Sequence, residues 1–121
     1  MERVDVVLVE DDSGVRWIVG QLLAYSGIKY VSASSAQEGL ALVKRCNPKL
    51  AVLDVRLGNE SGIDLARQIR QFDQEVGLLF VTGSDSLVVQ EAEDLDVIGI
   101  CEKPFDLSVF INQINTALKL A

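Results

Sequence analysis

Histidine does not occur in this chain of 121 residues. Its absence removes Ser-His and Cys-His nucleophile systems, His-ligated zinc, and any histidine phosphocarrier within the chain. Cysteine is scarce as well. Cys46 and Cys101 lie far apart, form no CxxC pair, and are expected as buried, reduced thiols of a cytosolic protein. No apolar run approaches the length of a membrane span, and the opening MERVDVV lacks the pattern of a signal peptide. Positive charge is in deficit: 11 Lys and Arg stand against 18 Asp and Glu, a net charge of −7. That balance disfavours a surface that reads nucleic-acid phosphates. Repeats, low-complexity tracts and linkers are missing too.

Apolar residues are plentiful, at 49% of the chain, so a core can form without disulfides or a structural metal. The length fits one domain, 1–121. Along the chain the pattern alternates. VDVVLV (4–9) is short, β-branched and bounded by acids, which predicts a buried strand. Val15, Ile18, Val19, Leu22 and Leu23 then recur with helical spacing, with Ser13 as the expected N-cap and Gly27 as the stop. IKYVSA (28–33) predicts a second strand, and Ser35 opens a helix carrying Ala36, Leu40 and Val43 on one face. LAVLDV (50–55) is the third strand, followed by a loop with Gly58 and Gly62 and a helix with Ile63, Ala66 and Ile69 inward. VGLLFVTG (76–83) and VIGIC (97–101) are the fourth and fifth strands. Between them DSLVVQEAEDLD predicts a weak, acidic helix, because Val88 and Val89 lower its propensity. Leu107, Phe110, Ile111, Ile114, Ala117 and Leu118 form the clearest helical stripe.

Strands apolar on both faces, alternating with helices, predict an α/β fold with a parallel sheet covered on each side. Right-handed crossovers bring the carboxyl ends of the strands to one edge, where ligands bind in such sheets. Glu10 and Asp11 follow the first strand, Asp54 ends the third, Thr82 ends the fourth, and the fifth runs into Lys103. Singly, each residue is ordinary: an acid after a strand is most often a cap or a solvated turn. Together they are a site. Three carboxylates at close range demand a proton or a cation among them. With oxygen donors only, the suitable ion is Mg²⁺ or Mn²⁺. One carboxylate can then act as nucleophile toward a phosphoryl group, with the lysine and the hydroxyl offsetting charge on its oxygens.

VEDD, LDVRLGNESG, VTG and EKPF, in this order and spacing, make the whole chain resemble the receiver domain of two-component response regulators. The resemblance implies a flavodoxin-like (βα)5 fold with strand order 2-1-3-4-5. It implies that Asp54 is the phosphoacceptor, and that Glu10, Asp11, Asp54 and the backbone carbonyl of Arg56 hold Mg²⁺. Thr82 and the Gly83 amide would contact the phosphoryl group, and Lys103 would pair with it, its bond to Pro104 being cis. The donor would be the phosphohistidine of a sensor histidine kinase or a histidine phosphotransfer protein. The acyl phosphate formed on Asp54 would later hydrolyse. Movement of Thr82 would switch an output surface made by the fourth helix, fifth strand and fifth helix, toward an output domain or partner protein. A homodimer through that face is left open, as is a longer regulator. No direct nucleic-acid or membrane contact is expected, and the location implied is cytoplasmic.

Three departures from the family's common pattern involve four positions. Ile100 stands where an aromatic residue usually swings inward, which puts a coupled aromatic switch in doubt. Gly58 replaces a usual proline, so a looser loop is expected. Arg56 and Ser84 occupy positions that tune acyl-phosphate lifetime, and a long basic side chain at 56 reaches the pocket entrance. Trp17 is read as a partly buried edge of the first helix, and Asp12 as favourable charge at that helix's start. The competing readings are a phosphorylation-independent interaction module on the same scaffold, an aspartate-nucleophile phosphohydrolase of the haloacid dehalogenase type, and a flavodoxin-type FMN binder. In the second of these Glu10 would occupy the place of the first Asp of DxD. In the third VEDD would repel the phosphate.

Overall fold

A computed structural model describes residues 3–83, 90, 92–103 and 106–120. Its elements in chain order are β1 (Val6–Val9), α1 (Ser13–Tyr25), β2 (Tyr30–Ala33), α2 (Ala36–Cys46), β3 (Leu50–Asp54), β4 (Arg56–Leu57), β5 (Glu60–Ser61), α3 (Gly62–Phe72), β6 (Gly77–Thr82), a 3-10 turn (Glu93–Leu95), β7 (Gly99–Glu102) and α4 (Leu107–Leu120). Five strands form one parallel sheet in the order β2-β1-β3-β6-β7. This is the expected sequence of long strands. The numbers shift only because β4 and β5 form a separate antiparallel ribbon that the apolar pattern did not announce.

β1, β3 and β6 are buried along their whole length, which is why their side chains are apolar at successive positions rather than alternating. Strand pleating sends neighbours to opposite faces. Val7, Val9, Ala51, Leu53, Leu78 and Phe80 join α2 and α3 in one core, while Val6, Leu8, Val52, Leu79 and Val81 join α1 and α4 in the other. Cys46 belongs to the first core and Cys101 to the second, and both are buried free thiols. No helix among the described residues is long and apolar enough to cross a membrane.

The helix starts follow capping chemistry. Asp12, not Ser13, is the N-cap of α1: it keeps an extended backbone while its carboxylate accepts from the amides of Gly14 and Val15. Those are the second and third helical amides, which an N-cap oxygen ordinarily reaches, and Ser13 becomes the first helical residue instead. Ser35 caps α2 through the Glu38 amide, and Glu38 returns a bond from the Ser34 amide. On α1, Val19 and Leu23 carry the buried stripe. Trp17 is 66% exposed and Ile18 48% exposed. The expectation of a partly buried Trp17 is therefore corrected: two positions before Val19, it points about 200° around the helix from the buried stripe. The weak helix expected over 85–96 lies largely outside the described residues. Its end is the 3-10 turn, closed by Asp96 in the left-handed region (φ 56°).

Candidate functional site

Parallel register puts the strand ends level. Asp54 is the last residue of β3 and pairs with Val81, one residue before Thr82. Glu10 follows β1 directly, its amide held by the Ala33 carbonyl of β2. Lys103 follows β7, and its amide donates to the Thr82 carbonyl at 2.7 Å. Glu10, Asp54 and Thr82 are buried, at 3%, 6% and 3% exposure, and are the buried polar residues of the described chain. Buried carboxylates require partners.

Those partners are specific. The Lys103 ammonium donates to Asp54 Oδ2 at 2.8 Å and to Glu10 Oε1 at 3.0 Å. The Arg56 amide donates to the other Asp54 oxygen, Oδ1, at 3.1 Å. Asp11 Oδ2 accepts from the Gly58 amide at 2.8 Å. One oxygen each from Glu10, Asp11 and Asp54 can be chosen so that all three lie within 4.8 Å of one another. Glu10, Asp11, Asp12, Asp54, Arg56, Gly58, Gly83 and Lys103 line an open cleft of about 700 Å³.

The charges do not cancel. Three carboxylates face one ammonium, and burial together with the neighbouring Asp54 carboxyl pushes the Glu10 pKa up to about 8, only partly opposed by Lys103. For Lys103, burial works against the charged form, yet the bonds and charges of Asp54 and Glu10 outweigh it and raise its pKa. A proton on Glu10 relieves the repulsion, and so would a divalent cation. The donor set is all oxygen, which fits a hard ion such as Mg²⁺.

The structure brings Glu10, Asp11, Asp54, Arg56, Gly83 and Lys103 to one cleft, with Thr82 adjoining it at the end of β6. Ser84, Pro104 and the Lys103–Pro104 peptide lie outside the described residues. Ile100 sits on the edge strand β7 at 39% exposure. The expected looseness of the Gly58 loop is corrected. Residues 56–61 fold into a two-residue hairpin, with Arg56 opposite Ser61 and Leu57 opposite Glu60, and Gly58 is tied to Asp11. Gly-Asn between two short strands was the available signal for it. The other residue not foreseen is Arg16, whose guanidinium donates to the Glu10 carbonyl at 2.8 Å and steadies the acidic loop from the first turn of α1. At the far end of the 56–61 hairpin, Gly62 brings the start of α3 so close to β3 that a Cβ there would collide with the Asp54 carbonyl.

Residues 6–115 match the family model described as the response regulator receiver domain. Among curated proteins the chain is similar to Sporulation initiation phosphotransferase F of Bacillus subtilis. The two are 24% identical over 115 residues, covering 94% of this chain and 90% of that protein. It is also similar to Response regulator protein TodT of Pseudomonas putida, 29% identical over 122 residues, covering 99% of this chain but 54% of that protein. The chain therefore spans about half the length of TodT. Among solved structures, the CheY-like receiver domain protein from Methanospirillum hungatei superposes with a TM-score of 0.91 at 22% identity, covering 98% of this chain and 96% of that one. The non-phosphorylated HemR receiver domain from Leptospira biflexa gives a TM-score of 0.90 at 26% identity, covering 98% and 97%.

Proposed function

The chain belongs to the response regulator receiver domain family, and on that premise we propose that Asp54 accepts a phosphoryl group from the phosphohistidine of a separate kinase or phosphotransfer protein. The observation that carries this reading is the environment of Asp54. It is a buried carboxylate at the mouth of a cleft, gripped on one oxygen by Lys103 and on the other by the Arg56 amide. Both oxygens of such a group are held by fixed donors, which orients it as a nucleophile must be.

An Asp54 oxygen attacks phosphorus, the bond from phosphorus to the donor imidazole nitrogen breaks, and the imidazole leaves with its electron pair. Lys103, already 2.8 Å from Asp54, is placed to follow the charge onto the phosphoryl oxygens. Thr82 and the Gly83 amide adjoin the same edge and supply further donors. Glu10, Asp11 and Asp54, with the Arg56 carbonyl, are the residues that would hold Mg²⁺. Bound there, the ion would neutralise charge between carboxylates and phosphoryl group. Residues 1–121 contain no histidine, so the phosphohistidine that donates lies outside them.

We read residues 1–121 as one receiver unit, in a reducing, cytoplasmic setting that suits two buried free thiols. Its switched surface would be β7, α4 and the segment between β6 and β7, facing an output domain or partner. Incubation with acetyl phosphate and Mg²⁺ is expected to label wild type, and Asp54→Asn or excess EDTA to abolish the label. A label that survives either treatment overturns the assignment.

A further inference from the structure

We propose that the backbone amide of Gly58 is a positioning group for Asp11, coupling the β4–β5 hairpin to the acidic cleft. The proposal rests on the reading of Glu10, Asp11 and Asp54 as the cation site.

Asp11 is the exposed member of the three acids. The Lys103 ammonium is engaged by Glu10 and Asp54. What the structure gives Asp11 instead is an amide from a residue 47 positions away, 2.8 Å from Oδ2. A carboxylate has two oxygens and about four acceptor sites, so one amide bond fixes its orientation and leaves Oδ1 available to an ion.

The hairpin makes that amide available. Leu57 and Glu60 close a two-residue turn, and the amide of the first central residue lies outside the ladder between them. Gly58 has φ 65°, a positive value that glycine adopts without the penalty a Cβ brings. A Cβ at Gly58 would meet nothing nearer than Asp11 Oδ2 at 3.9 Å, so a side chain here is limited by the backbone conformation and not by space. Glycine thus serves twice here, as the turn former and as an N–H donor. A proline would remove both roles.

By linkage, the hairpin stabilises the cation-ready orientation of Asp11 and a bound cation stabilises the hairpin in return. The test is Mn²⁺ titration followed by electron paramagnetic resonance, with amide exchange at Gly58 measured in metal-free protein. Gly58→Pro is expected to bind Mn²⁺ roughly tenfold more weakly, the lower end of what losing an outer-shell partner does to metal affinity. Gly58→Asn keeps the N–H and tolerates the left-handed region, and is expected within about twofold of wild type. Exchange of the Gly58 amide should accelerate in Asp11→Ala. Wild-type affinity in Gly58→Pro, equal weakening in Gly58→Asn, or unchanged amide exchange in Asp11→Ala would each overturn the proposal. If Gly58→Pro fails to fold, the exchange comparison decides alone. A wild type that binds no Mn²⁺ overturns the cation reading itself, an outcome distinct from a wild type that binds and a Gly58→Pro that binds equally well.

Discussion

Glu10, Asp11 and Asp12 are consecutive carboxylates in three different surroundings. Glu10 is buried and bonded to Lys103, Asp11 is held by the Gly58 amide, and Asp12 caps α1. Repulsion among neighbours is thus met by a separate partner for each. The assignments separate experimentally. Asp11→Ala should abolish Mg²⁺-dependent labelling. Asp12→Ala should leave labelling nearly intact while lowering stability by about 1 kcal/mol, the usual loss for an N-cap carboxylate. Urea denaturation beside the labelling assay checks both, and a labelling defect in Asp12→Ala of the size seen in Asp11→Ala would contradict the division. The residues themselves explain what could be read beforehand. A carboxylate at a strand end is visible in the sequence, whereas the choice between Asp12 and Ser13 as cap depends on a backbone angle at one turn.

Among the elements, α3 is tied to the chain ahead of β7 by two arginines of unequal weight. Arg70 donates to the carbonyls of Leu95 at 2.9 Å and Val76 at 2.7 Å, with longer bonds to Asp73 and Asp96. Arg67 forms a 2.8 Å ion pair with Asp94 at the surface. Removing the first strands several carbonyls that a guanidinium alone can span, so Arg70→Ala should lose about 1–3 kcal/mol, and Arg70→Lys should recover little because one ammonium lacks the planar fork. The ion pair is exposed and screened, and its loss in Asp94→Ala should shift the urea midpoint far less than Arg70→Ala does. Urea midpoints of the three variants order these effects. An Asp94→Ala penalty as large as that of Arg70→Ala would reverse the ranking. Sequence periodicity located α3 through Ile63, Ala66 and Ile69, but the polar face carrying Arg70 reads simply as solvated until Leu95 and Asp96 are seen against it.

For the whole molecule, the raised pKa of Glu10 ties stability to pH. Its unfolded value is near 4.5 and its folded value about 8, so the folded state keeps a proton that the unfolded state has lost. The stabilising contribution is complete below the unfolded value and disappears as pH rises through the folded one. With no histidine in the chain, few other groups titrate between pH 6 and 8, apart from the amino terminus. In EDTA the urea midpoint should therefore fall from pH 6 to pH 8. Mg²⁺ should flatten that slope by favouring ionised Glu10, and Glu10→Gln should remove it. A slope unchanged in Glu10→Gln would assign it elsewhere.

Strand burial on both faces and helical stripes such as Phe110, Ile114 and Ala117 are local patterns, and they alone determined the alternation of strand and helix. The parallel sheet followed, because strands apolar on both faces and joined by helices need cover on each side, while the strand order was implied only by the family resemblance. The same alternation fixed which acids, hydroxyl and lysine reach one edge, since strand ends are set by where apolar runs stop. Tertiary structure decided what those groups do to one another. Lys103 bridges to Glu10 across 93 residues and to Asp54 across 49, and Gly58 reaches Asp11 across 47. Each bond depends on loop paths and side-chain directions to within about an ångström, the tolerance of a hydrogen bond. Hydrophobic period carries no such resolution, which is why the members of the site were legible and the partner of each carboxylate was not.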